Sequence, residues 1–134
     1  MDFKLEVVPV PVADIDRAKA FYAERLGFTV DLDVPLGDEG RLVQLTPPGS
    51  GCSIHLNTVL RKMVPGSLEG LTLVVDDIEA ARAELVARGA EVGPVQHMAD
   101  GEWADGKGGD WNSFVFLRDP DGNEWVLQER PAGK

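Results

Sequence analysis

Apolar and polar positions along this chain keep two rhythms, and the pair of rhythms comes round twice. Leu5–Val12 is dominated by Val and Leu with interposed prolines, which predicts a strand near an edge or at a bulge. The period then lengthens. Ile15, Ala18, Tyr22 and Leu26 recur at helical spacing, with Asp16, Arg17, Lys19, Glu24 and Arg25 on the other faces. Asp14 has the short carboxylate of an N-cap, and Gly27 supplies the stop. Phe28–Val34, Arg41–Thr46 and Cys52–Thr58 are the next extended runs, separated by Gly and Pro. The second half repeats the order. Leu71–Val75 predicts a strand, and Asp77 caps a helix with Ile78, Ala81 and Leu85 buried and Gly89 at its end. Glu91–Val95, Ser113–Leu117 and Glu124–Gln128 follow as strands.

The repetition extends to residues. Val12–Arg25 returns as Val75–Arg88, about 63 positions later, with Val12, Asp14, Ile15, Ala18, Ala20 and Arg25 recurring. An internal copy implies a pseudo-symmetric fold of two modules, about 1–60 and 69–134, joined by a linker at about 60–68. A ligand is expected at the seam between them. Asp119-Pro-Asp-Gly-Asn is a tight turn, because Pro presets φ and Gly accepts positive φ. The glycine-rich connection Met98–Asp110 reads as a binding loop or a mobile lid.

Composition narrows the partners. A formal net charge of -10 argues against nucleic acid and anionic membranes, which are bound through Lys and Arg. No apolar run approaches the roughly 20 residues of a membrane helix, and MDFKLEVVPV does not read as a signal peptide. Cys52 is the one cysteine, so neither a disulfide framework nor a cysteine metal cluster is expected. A cytoplasmic protein is the expectation.

With these elements laid out, VADIDRAKAFYAERLGFTV, VDDIEAARAELVARGAEV and FLRDPDGNEWVLQE resemble the vicinal oxygen chelate superfamily. It holds glyoxalases, extradiol dioxygenases, bleomycin-resistance proteins and fosfomycin-modifying enzymes. The resemblance covers nearly the whole chain as one domain. It implies an α+β fold of two tandem βαβββ modules, each curling a mixed sheet into a half-barrel cup, and a homodimer that completes the cups. It also implies metal-ligand positions on the first and last strand of each module. Carried over by the repeat, these are Val7, His55, Gly70 and Val126. Val and Gly offer no side-chain donor, whereas a catalytic metal takes about three protein ligands. No metal and no cofactor are therefore expected, unless Glu124 lends a carboxylate to a non-standard site with His55.

His55 is the leading candidate for chemistry. Alternation along Ser53, His55 and Asn57 places them on one strand face, as ligand contacts or with His55 as an acid/base tuned near neutrality. A buried structural histidine is the plain alternative. Trp103 and Trp111, in or beside the glycine-rich loop, are candidates for stacking on a flat ligand or for packing at a cavity mouth or dimer interface. Trp125, out of phase with Val126, is expected in the core against a helix or at an interface. Thr72, His97, Asn112 and Gln128 are further polar candidates. The leading expectation is a metal-independent protein binding a small organic, even aromatic, metabolite or antibiotic. Its rival is a lyase, isomerase or dioxygenase-type enzyme using His55.

Overall fold

Proline explains why the first strand is short. It has no N–H for a ladder, and of the expected Leu5–Val12 only β1 (Val7–Pro9) is strand. The computed structural model describes residues 1–58 and 62–133. The chain divides into two units, Met1–Leu68 with Asp119–Asn123, and Glu69–Arg118 with Glu124–Lys134. Each carries one mixed sheet and one capped helix, an α+β fold of two modules. Leu60 and Arg61, at the start of the expected linker, lie outside the described residues.

In the first unit Asp14 caps α1 (Ile15–Ala20), its Oδ1 accepting the Arg17 amide at 3.1 Å. An unbroken α-helix to Leu26 was the expectation. The chain instead widens into a π turn over Phe21–Arg25, closed by Leu26 N–H to the Phe21 carbonyl at 3.2 Å. The expected stripe of Ala18, Tyr22 and Leu26 is nevertheless buried. β2 (Thr29–Leu36), β3 (Gly40–Thr46) and β4 (Ser53–Asn57) complete a sheet of order β1-β4-β3-β2, with β1 parallel to β4 and the other pairs antiparallel. Val43, Leu45, Ile54 and Leu56 form its buried face, and α1 packs on β4. The register of β2 slips between Val30 and Leu32, so Asp31 is an extra residue in the strand, and such bulges re-aim side chains.

The second unit has the same plan with one strand added. β5 (Leu71–Val75) precedes α2 (Ile78–Ala87), which Asp77 caps through the Ala80 amide. β6 (Gln96–Ala99), β7 (Glu102–Asp105), β8 (Phe114–Arg118) and β9 (Glu124–Glu129) give the order β5-β9-β8-β6-β7. Two expectations are corrected. Glu91–Val95 is not a strand. Val92 makes an isolated bridge to Leu117, Gly93 and Pro94 interrupt the run, and pairing starts at Gln96. Met98–Asp110 is not one open loop. Asp100 and Gly101, at φ 52° and 80°, turn the chain into the β6–β7 hairpin, as paired positive φ values do in a two-residue turn. Ile78, Leu85, Val115, Leu117, Trp125 and Leu127 fill this unit's core, with α2 on β8 and β9.

The modules also share register. Pro9 lies opposite His55 across β1 and β4, and Thr72, its counterpart in the repeat, lies opposite Val126 across β5 and β9.

Candidate functional site

Strand alternation sends Leu42, Gln44 and Thr46 of β3, and Ser53, His55 and Asn57 of β4, to the face opposite the first unit's core. Pairing sets Gln44 directly across from His55, and His55 Nε2 lies 3.0 Å from Gln44 Oε1. Gln44 Nε2 donates to Ser53 Oγ at 3.4 Å, Ser53 Oγ lies 2.6 Å from Thr46 Oγ1, and the Thr46 hydroxyl donates to the Asp31 carboxylate. The bulge in β2 is what supplies that carboxylate. Three polar side chains, Gln44, Ser53 and Thr46, thus link His55 to Asp31 across three strands. His55 itself is half-buried, and Asn57 also lines a recess of about 340 Å³ with Val10, Ile15, Met63 and Pro65.

In the second unit, the face opposite the core is aromatic. Phe114 and Phe116 of β8 stand two apart with ring centroids 6.5 Å apart and planes at 21°. Trp103 of β7 sets its ring edgewise to both, at 5.5 Å and 87° to Phe114 and at 5.1 Å and 85° to Phe116. It is 45 % exposed. The ladder adds Gln128 opposite Phe114, Val126 opposite Phe116 and Thr72 opposite Val126. Thr72, Trp103 and Gln128 therefore share a face.

His97 lies elsewhere, and Trp111 adjoins this face only through its backbone, its carbonyl accepting from Gln128 Nε2 at 2.8 Å. His97 alternates away from Met98, which pairs with Trp103, and its Nδ1–H donates to the Gly106 carbonyl at 2.8 Å. Trp111, at φ 60°, lines a polar recess of about 560 Å³ with Lys107, Asp110, Glu129 and Arg130. There Glu129 accepts the Ile78 amide and pairs with Lys107 at 2.9 Å; these two partners, in that order, hold its carboxyl below the usual range. Asn112 is a fastener: its Oδ1 accepts from Met98 N–H and its Nδ2 donates to the Met98 carbonyl, both at 2.9 Å. Trp125 is core, at 3 % exposure.

The donor set does not fit a divalent metal. Val7, Gly70 and Val126 carry no side-chain donor, and Glu124 lies 4.0 Å from its ion-pair partner Arg118. Among the described residues no three His, Cys, Asp or Glu side chains are grouped to hold one.

Sequence reasoning missed Asp31, Gln44 and Thr46, and it missed Phe114 and Phe116. Two signals pointed there: Gln44 is a lone amide in the run Leu-Val-Gln-Leu, and the two Phe residues keep strand period.

The family model of the Glyoxalase/Bleomycin resistance protein/Dioxygenase superfamily matches residues 4–127. Among solved structures, the chain is 36 % identical to TnmS3, an antibiotic binding protein from Streptomyces sp. CB03234, covering 97 % of this chain and 98 % of that one with a TM-score of 0.78. It is 37 % identical to a glyoxalase/bleomycin resistance protein from the same organism, over 93 % of this chain and 99 % of that one, with a TM-score of 0.73. It is also 28 % identical over 130 residues to YetH of Bacillus subtilis (strain 168), covering 94 % of this chain and 98 % of that protein.

Proposed function

We propose that this chain, which belongs to the Glyoxalase/Bleomycin resistance protein/Dioxygenase superfamily, binds a flat organic molecule, an antibiotic or an aromatic metabolite, without a metal. The observation that carries this reading is the half-exposed Trp103 set edgewise on Phe114 and Phe116. Aromatic rings with a few polar groups beside them are how small-molecule sites are commonly lined, and Thr72 and Gln128 supply such groups on the same face. The likeness to an antibiotic binding protein over nearly the full length of both chains supports the reading. Within the first unit, taken by itself, His55 and Asn57 are the candidate ligand contacts.

A second reading, a metal-free enzyme with His55 as acid/base, is favoured by the hydrogen-bonded link from His55 to the Asp31 carboxylate, since a third group commonly orients a catalytic base. The reading also includes a homodimer in a cytoplasmic setting. The homodimer is checked by sedimentation at tens of micromolar. No helix among the described residues is long and apolar enough to cross a membrane.

The experiment is a thermal-shift screen of antibiotics and flat metabolites, with tryptophan fluorescence on the hits. A ligand at 100 times its Kd stabilises the native state by about 2.7 kcal/mol. Hits whose affinity drops more than about tenfold, roughly 1.4 kcal/mol, in Trp103→Ala are expected. A hit bound equally by that variant would place the site wrongly, and conversion of a hit to product would favour the enzyme.

A further inference from the structure

The polar link on the first sheet has a direction, and the direction is set at its far end. An ionised carboxylate only accepts hydrogen bonds, so the Thr46 hydroxyl gives its single proton to Asp31. Thr46 Oγ1 then has nothing left to donate, and the 2.6 Å contact with Ser53 requires the Ser53 hydroxyl to donate. Ser53 has spent its proton, so Gln44 must face it with the amide nitrogen, at 3.4 Å. That turns Gln44 Oε1 toward His55. A carbonyl oxygen accepts only, so His55 Nε2 carries the proton at 3.0 Å. Every step is forced by proton counting on groups of fixed capacity. In the neutral ring the lone pair therefore sits on Nδ1, which has no hydrogen-bond partner among the described residues. Nδ1 is not among the buried unpartnered atoms of the described residues, so it stands open to accept a hydrogen bond from outside the chain.

We infer that Asp31, Thr46, Ser53 and Gln44 are positioning residues that fix His55 in its Nε2–H form, and that Nδ1 accepts a hydrogen bond from a ligand hydroxyl, a phenol or enol being the matching class. The inference rests on the reading of this protein as a small-molecule binder, and it restricts that reading. A ligand bearing only ethers or carbonyls at this position offers Nδ1 nothing. A hydroxyl-bearing ring completes the row of donors. His97 is a built-in control: its Nδ1–H donates to the Gly106 carbonyl at 2.8 Å, the opposite tautomer. These are the chain's two histidines, so both report in one spectrum.

The test is nitrogen-15 NMR of the two imidazoles in ligand-free protein, at a pH where both are neutral. His55 is expected as Nε2–H and His97 as Nδ1–H. Thr46→Val removes one hydroxyl at nearly constant shape, and Asp31→Ala removes the acceptor that sets the direction. In both variants the Nδ1–H form of His55 is expected to become comparably populated, while His97 stays as it was. Thr46→Ser should restore the wild-type signal. A merely structural role for these residues would not move a tautomer. An Nδ1–H His55 in the wild type, or a signal indifferent to both variants, overturns the positioning role. For the ligand class the probes are phenol and anisole, which differ by the donor alone. Phenol is expected to shift His55 Nδ1 and anisole to leave it in place. Equal responses, or none, overturn the hydroxyl assignment. The tautomer is read without ligand, so its failure is distinct from a compound screen that yields no binder.

Discussion

Tyr22 donates its hydroxyl to Asp119 Oδ2 at 2.6 Å, a bond between two buried side chains 97 positions apart. The same carboxylate accepts from Asn123 Nδ2 at 2.8 Å and from the amides of Asp121 and Asn123 at 2.9 Å each. Asn123, itself fully buried, donates to the Pro11 carbonyl at 2.8 Å and accepts the Leu68 amide at 3.0 Å. The Asp-Pro-Asp-Gly-Asn turn, although it joins β8 to β9, belongs to the first unit. Two of the motifs behind the family resemblance, the helix with its Phe-Tyr pair and this turn, thus meet in a structural clasp.

Tyr22→Phe removes one donor from a buried carboxylate and leaves the ring in place. A hydrogen bond to a charged group contributes about 1.5–3 kcal/mol, and a loss in that range is expected. Asn123→Ala loses bonds to three partners and should cost more. Urea denaturation with an unchanged slope checks both. A Tyr22→Phe midpoint equal to wild type would show that the clasp does not hold the fold.

Two glycines separate conformation from crowding. Gly101 sits at φ +80° with nothing within 4 Å of an added Cβ, so Gly101→Ala should cost only the left-handed backbone, about 1–2 kcal/mol. Gly66 has nearly the same φ, +82°, but its Cβ would lie 2.0 Å from the Asp121 carbonyl. Gly66→Ala must therefore move backbone in the clasp, and its loss should exceed that of Gly101→Ala. Equal losses in thermal melts would count against the close approach.

What was legible in the chain was local. Asp14 and Asp77 announced their helices because an N-cap acts within its own first turn, and Leu71–Val75 announced a strand because nothing interrupts it. Asp100-Gly101 carried an equally local hairpin signal but stood among other glycines that read together as a loop. His55 could be placed on a face by alternation alone. Its partner could not, because setting Gln44 opposite His55 depends on pairing two strands, and bringing Asp31 to Thr46 depends on a bulge that breaks the alternation. The π turn at Phe21–Arg25 left the buried stripe intact, so the hydrophobic pattern held no trace of it.

Acid should weaken the first unit through Asp33. Arg41 reaches it with two nitrogens, at 2.9 and 2.7 Å, Lys19 adds a third contact at 2.8 Å, and Arg41 also meets Asp16 at 2.5 Å. Arg41 first and Lys19 second hold the Asp33 carboxyl well below its ordinary range, and Asp33 and Asp16 hold Arg41 above its own. A depressed carboxylate stabilises the fold above its unfolded value and loses that contribution as pH falls through the folded one. Arg41, raised, keeps its contribution until strong alkali and leaves the acid limb unchanged. Asp33→Asn should thus be less stable than wild type at pH 7, with the gap closing below about pH 4 and shrinking in high salt. Urea midpoints at several pH values check this, and a gap as wide at pH 3 as at pH 7 would contradict it.

The three tryptophans divide the remaining question. Trp125 is 3 % exposed, whereas Trp103 and Trp111 are exposed almost equally, at 45 % and 44 %. Exposure does not distinguish the last two, but their surroundings do. Trp103 stands on two phenyl rings, and Trp111 faces a recess lined by Lys107, Asp110, Glu129 and Arg130. A flat apolar ligand gains from stacking and dispersion at the first place and must strip water from charges at the second. Trp103→Ala should therefore weaken the best hit by more than about tenfold, while Trp111→Ala stays within about threefold, roughly 0.6 kcal/mol. Ligand-induced fluorescence change should vanish with Trp103 and survive the loss of Trp111. Matching thermal melts of the two apo variants guard against a collapsed hairpin. The reverse ranking, with affinity lost in Trp111→Ala and kept in Trp103→Ala, would move the ligand from the aromatic face to the charged recess and call for a polar ligand instead.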